Sequence, residues 1–325
     1  MSTHDWGPAA SVGVLALRGR MRARIRAFFD ATGALEVDTP ALSAAAPTEP
    51  HLHPLATRVS ARRDPLYLQT SPEFPMKRLL AAGTGDCWQL CRVFRDRERG
   101  RHHNPEFDLL EWYRVGADHH ELMDDVEALV AAAIGPELSL PGAERLSYAE
   151  AFRRHAGIDP FSAGLGELQE LAAHAHLEPL AGLASDDRQD LLDRLLAGAI
   201  APAFPADRPT FVYDWPAAQA ALARLDPGDA RIARRFELYW GALELANGFH
   251  ELTDAAAQRA RFEAERAARG GSEDARAPLD ERLLAALEHG LPDCAGVALG
   301  FDRLVMVAAG ARHIDEVLAF PLERA

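Results

Sequence analysis

Two arginines and a handful of glutamates carry most of the chemistry legible in this 325-residue chain. The stretch from Trp88 to Gly116, WQLCRVFRDRERGRHHNPEFDLLEWYRVG, reads as two antiparallel strands joined by a charged loop. Arg95 ends the first strand, where a guanidinium matches phosphate oxygens in a two-pronged geometry. The loop, Asp96 to His103, holds three Arg, two acids and two His. In the second strand, alternation places Phe107, Leu109, Glu111 and Tyr113 on one face. A ring, a carboxylate and a phenol in a row make a wall that could stack a base and hold a cation. The competing reading is a surface hairpin with scattered charges. Near the C-terminus, GVALGFDR (296–303) combines glycines, which allow close backbone approach, with a second guanidinium, Arg303, ahead of an apolar helical run.

Glu237, Glu244 and Glu251 recur every seven residues in FELYWGALELANGFHEL. A helix would align them, but Gly241 and Asn247-Gly248 read as turns that break one. On one straight strand, odd spacing sends neighbours to opposite faces. Strand, turn, strand, turn is the arrangement that lets all three converge. Acids set among Phe, Leu and Trp do not read as an ordinary solvated hairpin.

The elements that must position these groups follow from periodicity and punctuation. Val14 to Asp30 has helical period, Gly33 stops it, and Leu35 to Val37 opens a strand ending at Pro40. Residues 1–13 read as a loose start and Ala41 to Asp64 as a loop whose His51 and His53 lack nearby metal-ligand partners. Leu66 to Thr70 reads as a strand and Met76 to Ala82 as a helix. Ser71-Pro72-Glu73 also fits a helix start, with Ser as cap. Helices are expected at His119 to Ala133 and across 145–200, a strand at Thr210 to Trp215, and a surface loop at Arg266 to Pro278. There is no internal repeat.

Composition narrows the function classes. The chain is 48% hydrophobic and 26% charged, which suits one large globular domain, or one domain with a modest insertion. No apolar run reaches the ~20 residues of a membrane span, and nothing reads as a signal peptide. Three cysteines, an odd number, suit a reducing compartment, hence the cytoplasm; Cys87, Cys91 and Cys294 read as buried thiols rather than zinc ligands. A net charge of −14 with dispersed Arg argues against a polyanion such as tRNA and for a small-molecule or protein partner.

The hairpin resembles motif 2, and GVALGFDR motif 3, of class II aminoacyl-tRNA synthetases. End to end, the chain resembles the lysyl-tRNA-synthetase-like family of elongation factor P–(R)-β-lysine ligases, through TSPEF at 70–74, HNPEF at 103–107, LEWYR at 110–114, ELANGFHELTD at 244–254 and GVALG at 296–300. The resemblance implies an α/β (α+β) fold: a mostly antiparallel sheet flanked by helices. It implies one catalytic domain over 1–325, with a helical insertion at about 145–200 and no anticodon-binding domain. The first helix, strand and Pro40 resemble motif 1, which implies a homodimer. The implied reaction activates (R)-β-lysine with ATP as an adenylate, then transfers it to a lysine side chain of elongation factor P, not to tRNA.

The same resemblance assigns roles. Arg95 and Mg2+ would stabilise charge at the α-phosphate, with Glu237 and Glu244 holding the metal. Phe107 and Arg303 would sandwich the adenine, and Asp96, Arg97, Asn104 and the backbone near Leu245 and Gly300 would line the ATP site. Ser71, Pro72 and Glu73 would border the substrate, Glu73 facing an amino group. Glu111, Tyr113 and Glu251 would hold the distal ammonium. Ala298, where lysyl-tRNA synthetases typically have Gly, would narrow the carboxylate end of the pocket. One departure stands out: the family usually has Glu two residues after the motif 2 arginine, and here that residue is Arg97, with Glu98 next to it. A truncated lysyl-tRNA synthetase and an inactive regulatory paralogue are the alternatives.

Overall fold

The computed structural model describes residues 6–50, 52–177, 187–269 and 277–325. His51, residues 178–186 of the expected insertion and most of the expected 266–278 loop lie outside the described residues. The chain divides into two compact units, Met1–Ser139 with Glu251–Ala325, and Leu140–His250.

The first unit opens with α1 (Val12–Thr32), capped by Ser11 and stopped by Gly33 in the left-handed region at φ 74°. Its buried stripe, Leu17, Met21, Ile25 and Phe29, recurs every fourth residue, as one helix face requires. The residues before it are not a loose start throughout: the Ala9 and Ala10 amides bond to the carbonyls of Ala319 and Leu318. Next come β1 (Leu35–Glu36), β2 (Leu42–Ser43), β3 (Ala56–Thr57) and β4 (Leu66–Leu68). Strands β2, β4 and β3 form a small sheet in that order. The following helix, α2 (Glu73–Ala81), begins earlier than its apolar period suggested. Pro72 is its N-cap residue, so Ser71 does not cap it. The hairpin β5 (Cys87–Phe94) and β6 (Glu106–Val115) is antiparallel, with Gln89 opposite Glu111 and Cys87 opposite Tyr113. Then α3 (His119–Ile134) starts at a capping box of Asp118 and Glu121.

The second unit holds β7 (Glu144–Ser147), α4 (Tyr148–Ala156), α5 (Leu165–His174), α6 (Arg188–Leu195), β8 (Pro209–Pro216), β9 (Ile232–Trp240) and β10 (Leu243–His250). Its strands lie in the order β10-β9-β8-β7, antiparallel except β7 with β8. The helices bury Tyr148, Phe152, Leu168, Leu192 and Leu195 in a core shared with Val212 and Trp215 of β8.

The chain returns to the first unit with α7 (Ala255–Ala268), α8 (Glu281–Gly290), β11 (Cys294–Gly300) and α9 (Phe301–Ala309). Strand β11 pairs antiparallel with β6, giving the order β1-β5-β6-β11. This array has two unlike faces. Trp88 and Trp112 face α1, where Phe29 stacks on Trp88 at 4.7 Å. The odd-numbered residues of β6 point the other way and bring Glu111 and Tyr113 to that face. Among the described residues no helix is long and apolar enough to cross a membrane.

Candidate active site

Alternation on β6 brings Phe107, Leu109, Glu111 and Tyr113 to one face, as the strand period requires. Opposite them on β11 stand Gly300, Ala298 and Gly296, in register with Leu109, Glu111 and Tyr113. These small residues form a floor. A Cβ on Gly296 would come within 2.5 Å of Glu251 Oε1 and closer still to the Tyr113 ring. Ala298, next along that face, is half-buried. Tyr113 donates its hydroxyl to Glu111 Oε1 at 2.8 Å, while Glu111 Oε2 is buried without a hydrogen-bond partner. Burial, then the nearby Glu73, raises the Glu111 carboxyl well above the usual carboxylate range. Burial likewise raises the Tyr113 phenol.

Sequence reasoning missed two members of this pocket. Lys77, four residues after Glu73 on α2, is buried, with Nζ 2.5 Å from Glu73 Oε1 and 2.6 Å from Glu251 Oε2. Burial alone would lower its pKa, but Glu251 and Glu73 outweigh burial and raise it, so it stays charged. The i, i+4 spacing to Glu73 was the available signal. Gln89, cross-strand from Glu111, is also buried, and its Oε1 has no partner. Cys87 and Cys91 flank Gln89 as free thiols, which burial pushes up to about 12. They are inert neighbours rather than nucleophiles at neutral pH.

The nucleotide-side candidates surround the β5–β6 loop. The Arg95 guanidinium lies 5.1 Å from the Phe107 ring centroid and its Nε donates to the Thr70 carbonyl at 3.3 Å. Glu98 sits 3.8 Å from Arg95, taking the place beside it. Arg97 is exposed and held in the left-handed region at φ 64°, its amide donating to Asp96 Oδ1. The Asp96 amide bonds to the His53 carbonyl, which ties the loop back to the segment before β3. Arg303 Nη2 lies 2.7 Å from His103 Nε2, and Gly300 packs beneath the Arg303 side chain, where a Cβ would be 3.4 Å away. Asn104 is buried and committed elsewhere: it donates to the Glu106 carbonyl and accepts from the Leu322 amide. Ser71 and Pro72 lead into α2 beside Glu73.

In the second unit, Glu237 and Glu244 are on strands joined by a turn at Gly241, whose φ is 52°, whereas Glu251 follows the end of β10 and belongs to the first unit. Asn247-Gly248 is not a turn, however. Both residues pair within β10, opposite Glu237 and Phe236. The expected change of face comes instead from an irregularity between Glu244 and Ala246. Glu244 pairs with Tyr239 and Asn247 with Glu237, so Leu245 is the extra residue that puts all four on one face. Arg235 and the Tyr239 hydroxyl, neither foreseen, donate to the Glu237 carboxylate. Burial raises Glu237 to about 7, with Arg235 opposing and Glu244 adding to the rise. Two carboxylates on one strand face are a donor set that suits a hard divalent cation such as Mg2+.

Comparison with known proteins agrees with the fold and motifs. The model of the family described as class II tRNA synthetases (D, K and N) matches residues 9–324. A protein of Klebsiella pneumoniae named elongation factor P–(R)-β-lysine ligase is 50% identical over 330 residues, covering 99% of each chain. One of the same name from Vibrio cholerae is 49% identical over 329 residues, covering 100% of both. Another, from Edwardsiella ictaluri, is 49% identical and covers 99% of this chain and 98% of its own.

Proposed function

This chain belongs to the class II tRNA synthetase family (D, K and N), and we propose that it activates (R)-β-lysine with ATP and joins it to a lysine of elongation factor P. The observation that carries the reading is the acidic pocket of the buried Glu111 and Glu251 and the half-buried Glu73. Buried acids without enough cations call for a cationic ligand, and a diamino acid supplies one. The names of the relatives supply its identity and that of the acceptor.

In the first step a carboxylate oxygen of the amino acid attacks the α-phosphorus of ATP and pyrophosphate leaves. In the second, the acceptor lysine Nζ attacks the acyl carbon, loses a proton, and AMP leaves. Neither step needs a covalent enzyme intermediate; both need positioning and charge stabilisation. Arg95 neutralises charge growing on the α-phosphate, and Phe107 and Arg303 hold the adenine by stacking. Asp96, Arg97, Asn104 and Gly300 shape the nucleotide site. Asn104 does so through the chain it fastens, since both ends of its amide are engaged. Glu111, Tyr113 and Glu251 hold the distal ammonium, Glu73 with Ser71 and Pro72 the nearer amine, and Ala298 limits room beside it. Glu237 and Glu244 would hold Mg2+, whose charge would neutralise the ATP phosphates. The protein acts as a cytoplasmic homodimer through α1 and β1.

The test incubates the protein with ATP, labelled β-lysine or α-lysine, purified elongation factor P and bulk tRNA. Label on the protein, dependent on β-lysine, is the expected result. Label in the tRNA alone would establish a tRNA synthetase instead.

A further inference from the structure

Lys77 is a costly residue where it stands. It is 2% exposed, on a helix whose adjacent buried positions, Met76 and Leu80, are apolar. A buried ion pair contributes little stability over apolar packing, so stability alone does not account for a lysine there. Its two acid partners come from different parts of the chain, Glu73 from α2 and Glu251 from beside β11, where the Glu251 amide bonds to the Cys294 carbonyl.

The charges that act on Lys77 are those of Glu251 and Glu73. Glu73 and Glu251 touch it; Glu111 and Tyr113 of β6 stand close by, and the buried thiol of Cys87 and the half-buried thiol of Cys91 lie across from Tyr113 and Leu109. Three carboxylates against one ammonium leave an excess of two acids. A diamino monocarboxylic acid presents two ammonium groups and turns its carboxylate toward ATP. We propose that Lys77 is a positioning residue for the amino acid: its ammonium bridges Glu73 and Glu251, keeps both oriented, and leaves one acid in excess for each ammonium of a diamino substrate. Lys77 therefore stands between the subsite for the nearer amine at Glu73 and the distal subsite where Glu111 Oε2 awaits a donor. This inference rests on the amino-acid-activating reading above.

The experiment is ATP–pyrophosphate exchange with (R)-β-lysine across pH, on wild type, Lys77→Met, Lys77→Gln and Lys77→Arg. Without the Lys77 cation, the clustered carboxyls of Glu73, Glu111 and Glu251 should bind protons more tightly, and the substrate must then displace them. Lys77→Met should raise the amino-acid KM about 30-fold or more. The KM for ATP should change less than about twofold, and the acidic limb of kcat/KM should move up by about one pH unit or more. Lys77→Gln, which keeps a donor between the acids, serves as the second uncharged variant should Met fail to fold, and should show the same shift. Lys77→Arg should return the limb to its wild-type position, which a purely structural role would not require. A limb unmoved in both uncharged variants, or a loss confined to kcat or to the KM for ATP, overturns the proposal. Absence of β-lysine-dependent exchange in the wild type would instead overturn the functional reading itself, and this inference with it.

Discussion

Replacing Glu111 by Gln separates what this side chain does for folding from what it does for binding. The amide keeps the acceptor that Tyr113 uses at 2.8 Å, but it places an NH2 group or a neutral oxygen where the unpartnered Oε2 stands. Burial, then the nearby Glu73, raises the folded pKa of Glu111 well above the unfolded value. The unfolded chain gives up that proton above pH ~4.3, whereas the folded protein releases it at higher pH. Stability from this group is therefore full below that pH and declines as pH rises toward the folded pKa, by at most about 1.4 kcal/mol per unit. Glu111→Gln has no such proton, so its melting temperature should rise relative to wild type as pH increases above ~4.3. Amino-acid binding should move the other way. A charge-assisted hydrogen bond contributes ~1.5–3 kcal/mol, so the KM for β-lysine should increase about ten- to 150-fold. The KM for ATP should stay the same. Pyrophosphate exchange and melting curves across pH measure both effects. A variant that is less stable at high pH than wild type, or that binds the amino acid normally, would refute the reasoning.

Ala298→Gly should raise the ratio of adenylation rates for α-lysine over β-lysine by about tenfold or more, because one methyl on the pocket floor is removed; an unchanged ratio, with both rates falling, would reduce Ala298 to a space filler. Gly296→Ala should do the reverse of opening the pocket. Its Cβ meets Glu251 and the Tyr113 ring, so amino-acid binding should weaken by about 1–3 kcal/mol, read as a raised KM for β-lysine at constant KM for ATP. Asp108→Asn tests a cluster on the opposite face of β6. Arg18, Arg22 and Arg92 converge on that buried carboxylate, so the variant should lose about 3–5 kcal/mol of stability in denaturant unfolding while the KM for β-lysine stays constant.

Much of the site is legible without coordinates because its logic is local. Alternation along one strand is enough to put Phe107, Glu111 and Tyr113 on a shared face, since the pleat depends only on neighbouring peptides. The stop of α1 at Gly33 and the turn at Gly241 are local for the same reason: both need positive φ, which glycine adopts readily. The class II family is legible too, since its motifs are short, ordered and separated by tolerant segments.

What local rules misjudged depends on partners distant in sequence. Asn247-Gly248 looks like a turn, yet pairing with Glu237 and Phe236 keeps it in β10, because ladder hydrogen bonds outweigh weak turn preference. Residues 9–10 look loose, yet the chain near Leu318 supplies acceptors for their amides. The sequence by itself determined the residue types available for chemistry, the strand that presents them and the family to which they belong. Only the tertiary structure decided which charges meet: that Lys77 reaches Glu251, that Gln89 faces Glu111, and that one extra residue at Leu245 turns Glu244 toward Glu237's face. Charge balance in a buried pocket is a sum over elements remote in the chain, and no window of sequence contains that sum.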